Sequence, residues 1–396
     1  MKPRIFINMH YMEIGGAERA LLGLLNAIDT DKVDVDLFIN QHTGEFMKLI
    51  PNKINLLPEI SSYSVIEKPI ITALRKGHLA IVLARLLAKI QFKLKYFLRA
   101  GKDASIFNLV AKYTTPLLPS LKKYGEYNLA ISFLTPHNIV KDKVKAKQKI
   151  AWIHTDYTKV SIDTKSELPI WNSYNKIISI SEDVTKTFTQ VFPSIKDKVI
   201  EIENILSPQF IKDQASLFKP EEMLGNFIKI CSIGRFCFAK NFENIPYIAQ
   251  ILKEKGLSFK WYIIGFGNVT ETIENIRKTN TNDCVILLGK KENPYPYISN
   301  CDIYVQPSRY EGKSVTVREA QILCKPVIIT NYPTASSQVK NFVDGIICNM
   351  DNDSIANAIF NLVQDMDKQI EIEEYLSSHD YGNETEVNKI YQLINV

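Results

Sequence analysis

The chain has 396 residues, more than one ordinary hydrophobic core organises, so two domains are expected. A hydrophobic share of 45% and a charged share of 23% exclude a disordered or fibrous chain. The formal net charge of +5 is mild: it suits anionic partners but gives no ground for nucleic-acid binding.

Residues 4–9 read as a first short strand with no secretory apolar core behind it, and no uninterrupted apolar run reaches membrane-spanning length, so a cytoplasmic protein is expected. Gly15-Gly16 then opens a helix that runs through Ala17-Glu18-Arg19 to Leu25. Val33 to Ile39 is a second strand. Asp34-Val35-Asp36 within it has the look of a metal-binding Asp-x-Asp, but the alternation there puts the charged residues on the outer side of a strand. Leu129 to Phe133, Gln148 to Trp152 and Lys176 to Ile180 are three further short apolar runs. Short buried strands alternating with helices predict a doubly wound α/β sheet. Asn204 to Asn226, with two prolines and many polar residues, reads as a linker.

The same pattern restarts at Phe227 to Gly234. It continues through Phe259 to Gly265, Cys284 to Gly289, Asp302 to Gln306, Pro326 to Thr330 and Gly345 to Cys348, a second parallel sheet. Helical spacing returns at Glu384 to Val396, a segment placed to pack back on the first domain. The expected domains are therefore 1–205, 206–380 and a C-terminal helix in 381–396. All six cysteines lie in the second half without a Cys-x-x-Cys pair, which favours buried free thiols in a reducing compartment over disulfides or zinc.

Residues 68–102 stand apart, rich in lysine and arginine and without an acidic residue. At about 100° per residue, Arg85, Lys89, Lys93, Lys95 and Arg99 share one arc, and Leu79, Leu83, Leu86, Leu87, Ile90, Leu94 and Phe97 the opposite one. Two readings follow: a helix lying on an anionic membrane surface, or a core-packed helix with a solvated basic face.

The chemistry-bearing residues cluster at predicted strand ends. At Gly15-Gly16 the backbone can approach a ligand closely beside a helix N-terminus, or the glycines serve only a tight turn. Arg235 and Lys240 follow the first strand of the second half, where such sheets bind ligands; together they can neutralise a departing diphosphate, or they are surface cations. Gly265-Phe266-Gly267 lacks the third glycine of a dinucleotide fingerprint and suits a turn that admits a base better than NAD. Glu311 and Glu319, eight positions apart, flank a Gly/Ser/Thr turn between a strand and a helix. The first-turn N–H groups of such a helix favour a phosphate, and a carboxylate one turn on can take sugar hydroxyls. His154 follows a strand and either donates to a sugar hydroxyl or is satisfied by backbone; His10 has the same two readings.

Together these residues resemble glycosyltransferase family four, a retaining family of the GT-B fold: two Rossmann-like doubly wound α/β domains with parallel sheets, facing a central cleft. The likeness is carried by Gly-Gly-Ala-Glu-Arg at 15–19, Trp-Ile-His at 152–154 and Ile-Ser-Ile-Ser at 178–181. Ile-Gly-Arg at 233–235, Lys240, Gly265 to Gly267 and the Glu-x7-Glu pair Glu311 and Glu319 complete it. It implies a nucleoside-diphosphate sugar, UDP-linked, as co-substrate, a glycan or lipid-linked glycan acceptor in surface polysaccharide synthesis, and neither metal nor cofactor. Arg235 and Lys240 would hold the diphosphate, Glu311 the donor sugar, Glu319 the ribose, and the N–H groups around Ser314, Val315 and Thr316 the phosphate. Gly16 and Gly265 would border the donor, Leu288 would shape its pocket, and His154 would meet the transferred sugar or the acceptor. The segment 68–102 would sit on the inner face of the cell membrane. The family's usual Glu-Gly-Phe-Gly-Leu-Pro reads Glu-Gly-Lys-Ser-Val-Thr here, so Ser314 stands where a glycine is common and is less free to take φ > 0. A non-catalytic nucleotide-sugar-binding or scaffold subunit is the alternative; an epimerase of the same fold is a weaker third.

Overall fold

The computed structural model describes residues 2–98, 106–155, 157 and 162–394. The chain divides into two compact units, Met1–Ile205 with Glu384–Val396, and Leu206–Asn383. Each is organised by one wholly parallel sheet. In the first unit the strands are β1 (Arg4–Met9), β2 (Asp34–Ile39), β3 (Asn55–Leu56), β4 (Glu126–Ser132), β5 (Lys145–Ile153), β6 (Lys176–Ser179) and β7 (Val199–Glu201), in spatial order β3-β2-β1-β4-β5-β6-β7. The second unit has β8 (Ile228–Ile233), β9 (Phe259–Ile264), β10 (Val285–Gly289), β11 (Ile303–Gln306), β12 (Val327–Thr330) and β13 (Ile346–Cys348), in order β10-β9-β8-β11-β12-β13. Strand order reverses between β1 and β4 and again between β8 and β11, and loops that follow such strands diverge to leave a crevice.

The helices that position functional side chains are α1 (Gly16–Ala27), α2 (Ile70–Arg75), α3 (Leu79–Leu98), α4 (Ile106–Thr114), α5 (Thr164–Asn172), α6 (Pro208–Ala215), α7 (Tyr295–Ser299), α8 (Val315–Ile322) and α9 (Val387–Ile394). Helix α1 starts where Gly15 is extended (φ −155°) and buries Leu21, Leu22, Leu24 and Leu25. Gly23 on the same helix lets it seat against the chain beyond β7: a Cβ there would lie 1.9 Å from the Ile205 carbonyl oxygen. Tyr391 of α9 accepts the Asp29 N–H at 2.8 Å, which ties the C-terminal segment to the end of α1.

Several expectations need correction. The stretch 204–226 is not a free linker. It contains α6, N-capped by Ser207 and started by Pro208, and it buries Ile211, Ala215 and Met223 in the core of the second unit. The short edge strands β3 and β7 escaped notice because two or three residues carry no readable alternation. Asp36 does not face outward: its carboxylate accepts hydrogen bonds from Arg4 (2.7 Å), the Tyr127 hydroxyl (2.6 Å) and the Asn55 amide (2.6 Å), so one side chain links β1, β2, β3 and β4. Burial and that carboxylate push the Tyr127 phenol well up from its ordinary value. All six cysteines are free thiols, but Cys237 is exposed rather than buried.

Helix α3 departs from both sequence readings. Its inward face is Ile81, Val82, Ala84, Arg85 and Ala88, all buried. Arg85 donates to the Val65 carbonyl oxygen at 3.0 Å, and its guanidinium feels the Glu67 carboxylate. The leucine arc is what solvent meets. Arg99 and the side chains of Lys95 and Phe97 lie outside the described residues.

Replacing Asp36 with alanine strands three donors in a mostly buried setting. It should lower stability by about 3 kcal/mol in urea denaturation of the full chain, with Asp36→Asn losing roughly half as much. A change within about 0.5 kcal/mol for Asp36→Ala would show that solvent satisfies those donors equally well.

Candidate functional site

In the second unit the candidate residues gather where β8, β9 and β11 end. The strand ends are crowded by design. A Cβ on Gly265 would lie 1.8 Å from the Gly234 carbonyl oxygen, so Gly265 is demanded by its own chain, whatever else it borders. Gly267 has φ +131°, a conformation side chains rarely adopt, and the Phe236 N–H donates to the neighbouring Phe266 carbonyl at 2.8 Å. This zipped pair of turns carries Phe266, 52% exposed, between two cations: Arg235 lies 5.5 Å and Lys290 5.7 Å from its ring centre. An aromatic face with flanking positive charge is a fit platform for a base or sugar joined to phosphate. Leu288, on β10, is half-buried and packs into the hydrophobic core of the unit.

The loop after β11 closes on the loop after β8. Glu311 Oε1 accepts from Lys240 Nζ at 2.5 Å and from the Ser308 hydroxyl at 2.7 Å. Both charged side chains are mostly shielded, 19% exposed for Lys240 and 12% for Glu311. Behind them runs a chain of polar groups: Tyr304 donates to Gln306 Oε1 (2.8 Å), and Gln306 Nε2 donates to Ser308 Oγ (3.0 Å). Thr334 donates to the Glu311 carbonyl at 2.8 Å, and the Arg309 N–H donates to the Ala239 carbonyl at 2.8 Å. Among the described residues both side-chain bonds of Glu311 fall on one oxygen, which leaves the other for a hydroxyl.

Helix α8 begins just beyond. Ser314 has φ −72°, so the serine where glycine is common carries no backbone strain. Its N–H is not available to a phosphate, because it donates to Gln338 Oε1 at 3.0 Å, while Gln338 Nε2 donates back to the Ser314 carbonyl at 2.5 Å. That corrects the expectation for Ser314; the first-turn N–H groups of Val315 and Thr316 are the ones at the mouth of the helix. Glu319, one turn on, is wholly buried and accepts from the Tyr295 hydroxyl of α7 at 2.9 Å. Lys240 and Glu311 thus meet directly, whereas Glu319 is held from a second side by Tyr295. Gln306, Ser308, Thr334, Gln338 and Tyr295 were missed by sequence reading. Gln306-Pro307-Ser308, polar residues at the carboxyl end of a buried strand, was the one signal on offer.

In the first unit, Gly16 has open space where a Cβ would stand, while a Cβ on Gly15 would meet the end of the Glu18 side chain. His154 is half-buried, stacked parallel to Trp152 (interplanar 6°) with Phe133 at 4.6 Å, and bonds to the Phe133 backbone. Both of its sequence readings therefore keep a place: backbone satisfies one nitrogen, and Nε2 has no partner among the described residues. Burial pushes His154 and the neighbouring His137 down to about 3, so both are neutral at physiological pH. His10 lies 2.6 Å from Glu67 through Nδ1. Burial pushes Glu67 up, but the His10 bond and charge outweigh it, and the carboxyl lies below its ordinary value. These two residues, with Glu167, line a cavity of about 490 Å³ set where β1, β4 and β5 end. Burial raises the Glu167 carboxyl to about 7.

Residues 213–378 match the family model described as Glycosyl transferases group 1. Among curated proteins, an uncharacterized glycosyltransferase of Haemophilus influenzae is 25% identical over 53% of this chain and 58% of its own length. The poly(ribitol-phosphate) alpha-N-acetylglucosaminyltransferase of Staphylococcus aureus is 27% identical over 46% of this chain and 37% of its own. The chain thus spans little more than half, or less, of the curated relatives it matches. Solved structures align along the whole chain. TarM of S. aureus, crystallised with UDP, Fondaparinux and alpha-GlcNAc-glycerol, gives a TM-score of 0.64 at 14% identity over 100% of both chains. HepE of Anabaena with UDP and glucose gives 0.64 at 16% identity over 99% of both. The fold is GT-B.

A histidine depressed in the native state binds its proton mainly when unfolded, so its stabilisation is complete above about 6.5 and is lost as pH falls toward 3. Urea unfolding compared at pH 7 and pH 5 should show His137→Gln less acid-sensitive than the wild type, by up to about 1.4 kcal/mol per pH unit. Equal slopes would mean that His137 carries a proton in the folded chain.

Proposed function

We propose that this chain is a retaining glycosyltransferase. It moves a sugar from a nucleoside-diphosphate sugar, UDP-linked, to a hydroxyl of a glycan or lipid-linked glycan, in cell-surface polysaccharide synthesis at the inner face of the membrane. The observation that carries this reading is the shielded Lys240–Glu311 pair beside Arg235 and Phe266, at the carboxyl ends of β8, β9 and β11 and inside the segment 213–378. The UDP named with TarM and HepE supports the nucleotide.

Arg235 and Lys240 receive the diphosphate, and Lys240 leaves or shares Glu311 to do so. Glu311 then takes a sugar hydroxyl, and Glu319, oriented by Tyr295, takes the ribose. The N–H groups of Val315 and Thr316 face the phosphate. The acceptor hydroxyl attacks the anomeric carbon as the carbon–oxygen bond to the diphosphate breaks. The hydroxyl proton passes to the departing phosphate oxygen, on the same face of the sugar, so configuration is retained. Charge develops chiefly on the leaving group, so the two cations supply most of the stabilisation and no metal is required. His154, neutral, donates or accepts a hydrogen bond at the transferred sugar or the acceptor and moves no net charge.

UDP-, GDP- and ADP-sugars screened by thermal shift should single out the UDP-sugars, with a stabilisation of about 2.7 kcal/mol at a hundred times Kd. Arg235→Ala, Lys240→Ala and Glu319→Ala should each cut kcat/KM for transfer by about 100-fold or more while circular dichroism stays native. Full turnover by Arg235→Ala or Glu319→Ala would overturn the assignment. A purified chain that binds UDP-sugar but neither transfers nor hydrolyses it would favour the scaffold reading.

A further inference from the structure

The inward seating of Arg85 turns α3 over: the helix shows solvent its apolar side. Leu79, Leu83, Leu87, Ile90 and Leu94 are 54–62% exposed along one stripe. Neighbouring elements extend it, with Ile71 (53%) and Leu74 (44%) on α2 and Phe107 (69%) on α4. Apolar surface on this scale is costly to leave in water and marks an interaction face. Its rim selects the partner. Lys89 and Lys93 flank the stripe, Arg75 and Lys76 end α2, and no acidic residue occurs from 68 to 102.

We infer that this face docks on an anionic lipid bilayer, with the leucine stripe set into the boundary between headgroups and acyl chains and the lysines reaching lipid phosphates. An apolar arc with cations at its edge is the pattern of a helix lying in the interface plane, and lysine stems can bury while their ammonium groups stay at the headgroups. A second copy of the chain fits less well, since self-pairing brings like-charged rims together. Among the described residues no helix is long and apolar enough to cross the membrane, so this attachment is peripheral. That the bilayer is the cell's own membrane rests on the proposed function; that the face binds anionic lipid does not. Phe92 of α3 and Phe107 of α4 also line the 490 Å³ cavity, so the docked face and the cavity share a wall. A glycan anchored in the bilayer would meet that wall without leaving the surface.

The full chain should sediment with vesicles of phosphatidylglycerol in phosphatidylcholine and far less with phosphatidylcholine alone. Leu83→Glu/Ile90→Glu should bind about tenfold or more weakly. Lys89→Gln/Lys93→Gln should lose about fivefold per lysine and much of the salt dependence. Thermal shift with UDP-sugar, read on the same proteins, should match the wild type, which separates failure of this inference from failure of the transferase reading. The inference is overturned if the wild type ignores anionic vesicles, or if Leu83→Glu/Ile90→Glu binds them as well as the wild type does. It is overturned equally if light scattering shows a dimer that this double variant breaks, without vesicle binding.

Discussion

A wholly parallel sheet can be closed only by crossover connections, and this constraint arranges the rest of both units. Each strand must be covered on both faces, so the strands are short and almost wholly buried, and the chain does its chemistry in the loops that leave their carboxyl ends. Where the order reverses, at β1/β4 and at β8/β11, successive loops part in opposite directions. The cavity with His10, Glu67 and Glu167 stands at the first of these places, and Arg235, Lys240 and Glu311 at the second. The two units thus solve the same topological problem and lodge their polar side chains at the same edge of the sheet.

The polar groups at the second edge are arranged for position more than for stability. A shielded ammonium–carboxylate pair gains little over the cost of removing its water, but it fixes two loops relative to each other. Ser308, Gln306 and Tyr304 back the carboxylate in a continuous chain, and Gln338 clasps both backbone groups of Ser314. The helix start at α8 is therefore set by a side chain from beyond β12, a substitute for the conformational freedom that a glycine would give. A ligand that brings its own negative charge can take Lys240 and find the rest of the site already oriented.

The first unit shows how an amphipathic pattern can be satisfied in the opposite sense to the usual one. Hydrophobic periodicity locates the two faces of α3 but does not say which one turns inward. Here small residues, Ala84 and Ala88, allow close approach, and Arg85 finds a carbonyl and a neighbouring carboxylate. The large leucines are left outside because the surface they would need on the unit is already covered.

The amino-acid sequence by itself determined the two α/β halves, most strands to within a residue or two, the glycine turns and the Glu311/Glu319 spacing. All of these are short-range patterns: burial, turn geometry and helix phase act within a few residues and leave a mark on the local string. Only the tertiary structure decided that Asp36 is an internal hydrogen-bond acceptor, that 204–226 folds into the second unit, that Gln338 occupies the Ser314 N–H, and which side of α3 meets solvent. Each depends on a partner far along the chain, Tyr127 for Asp36 and Gln338 for Ser314, and a local pattern carries no record of what packing will bring beside it.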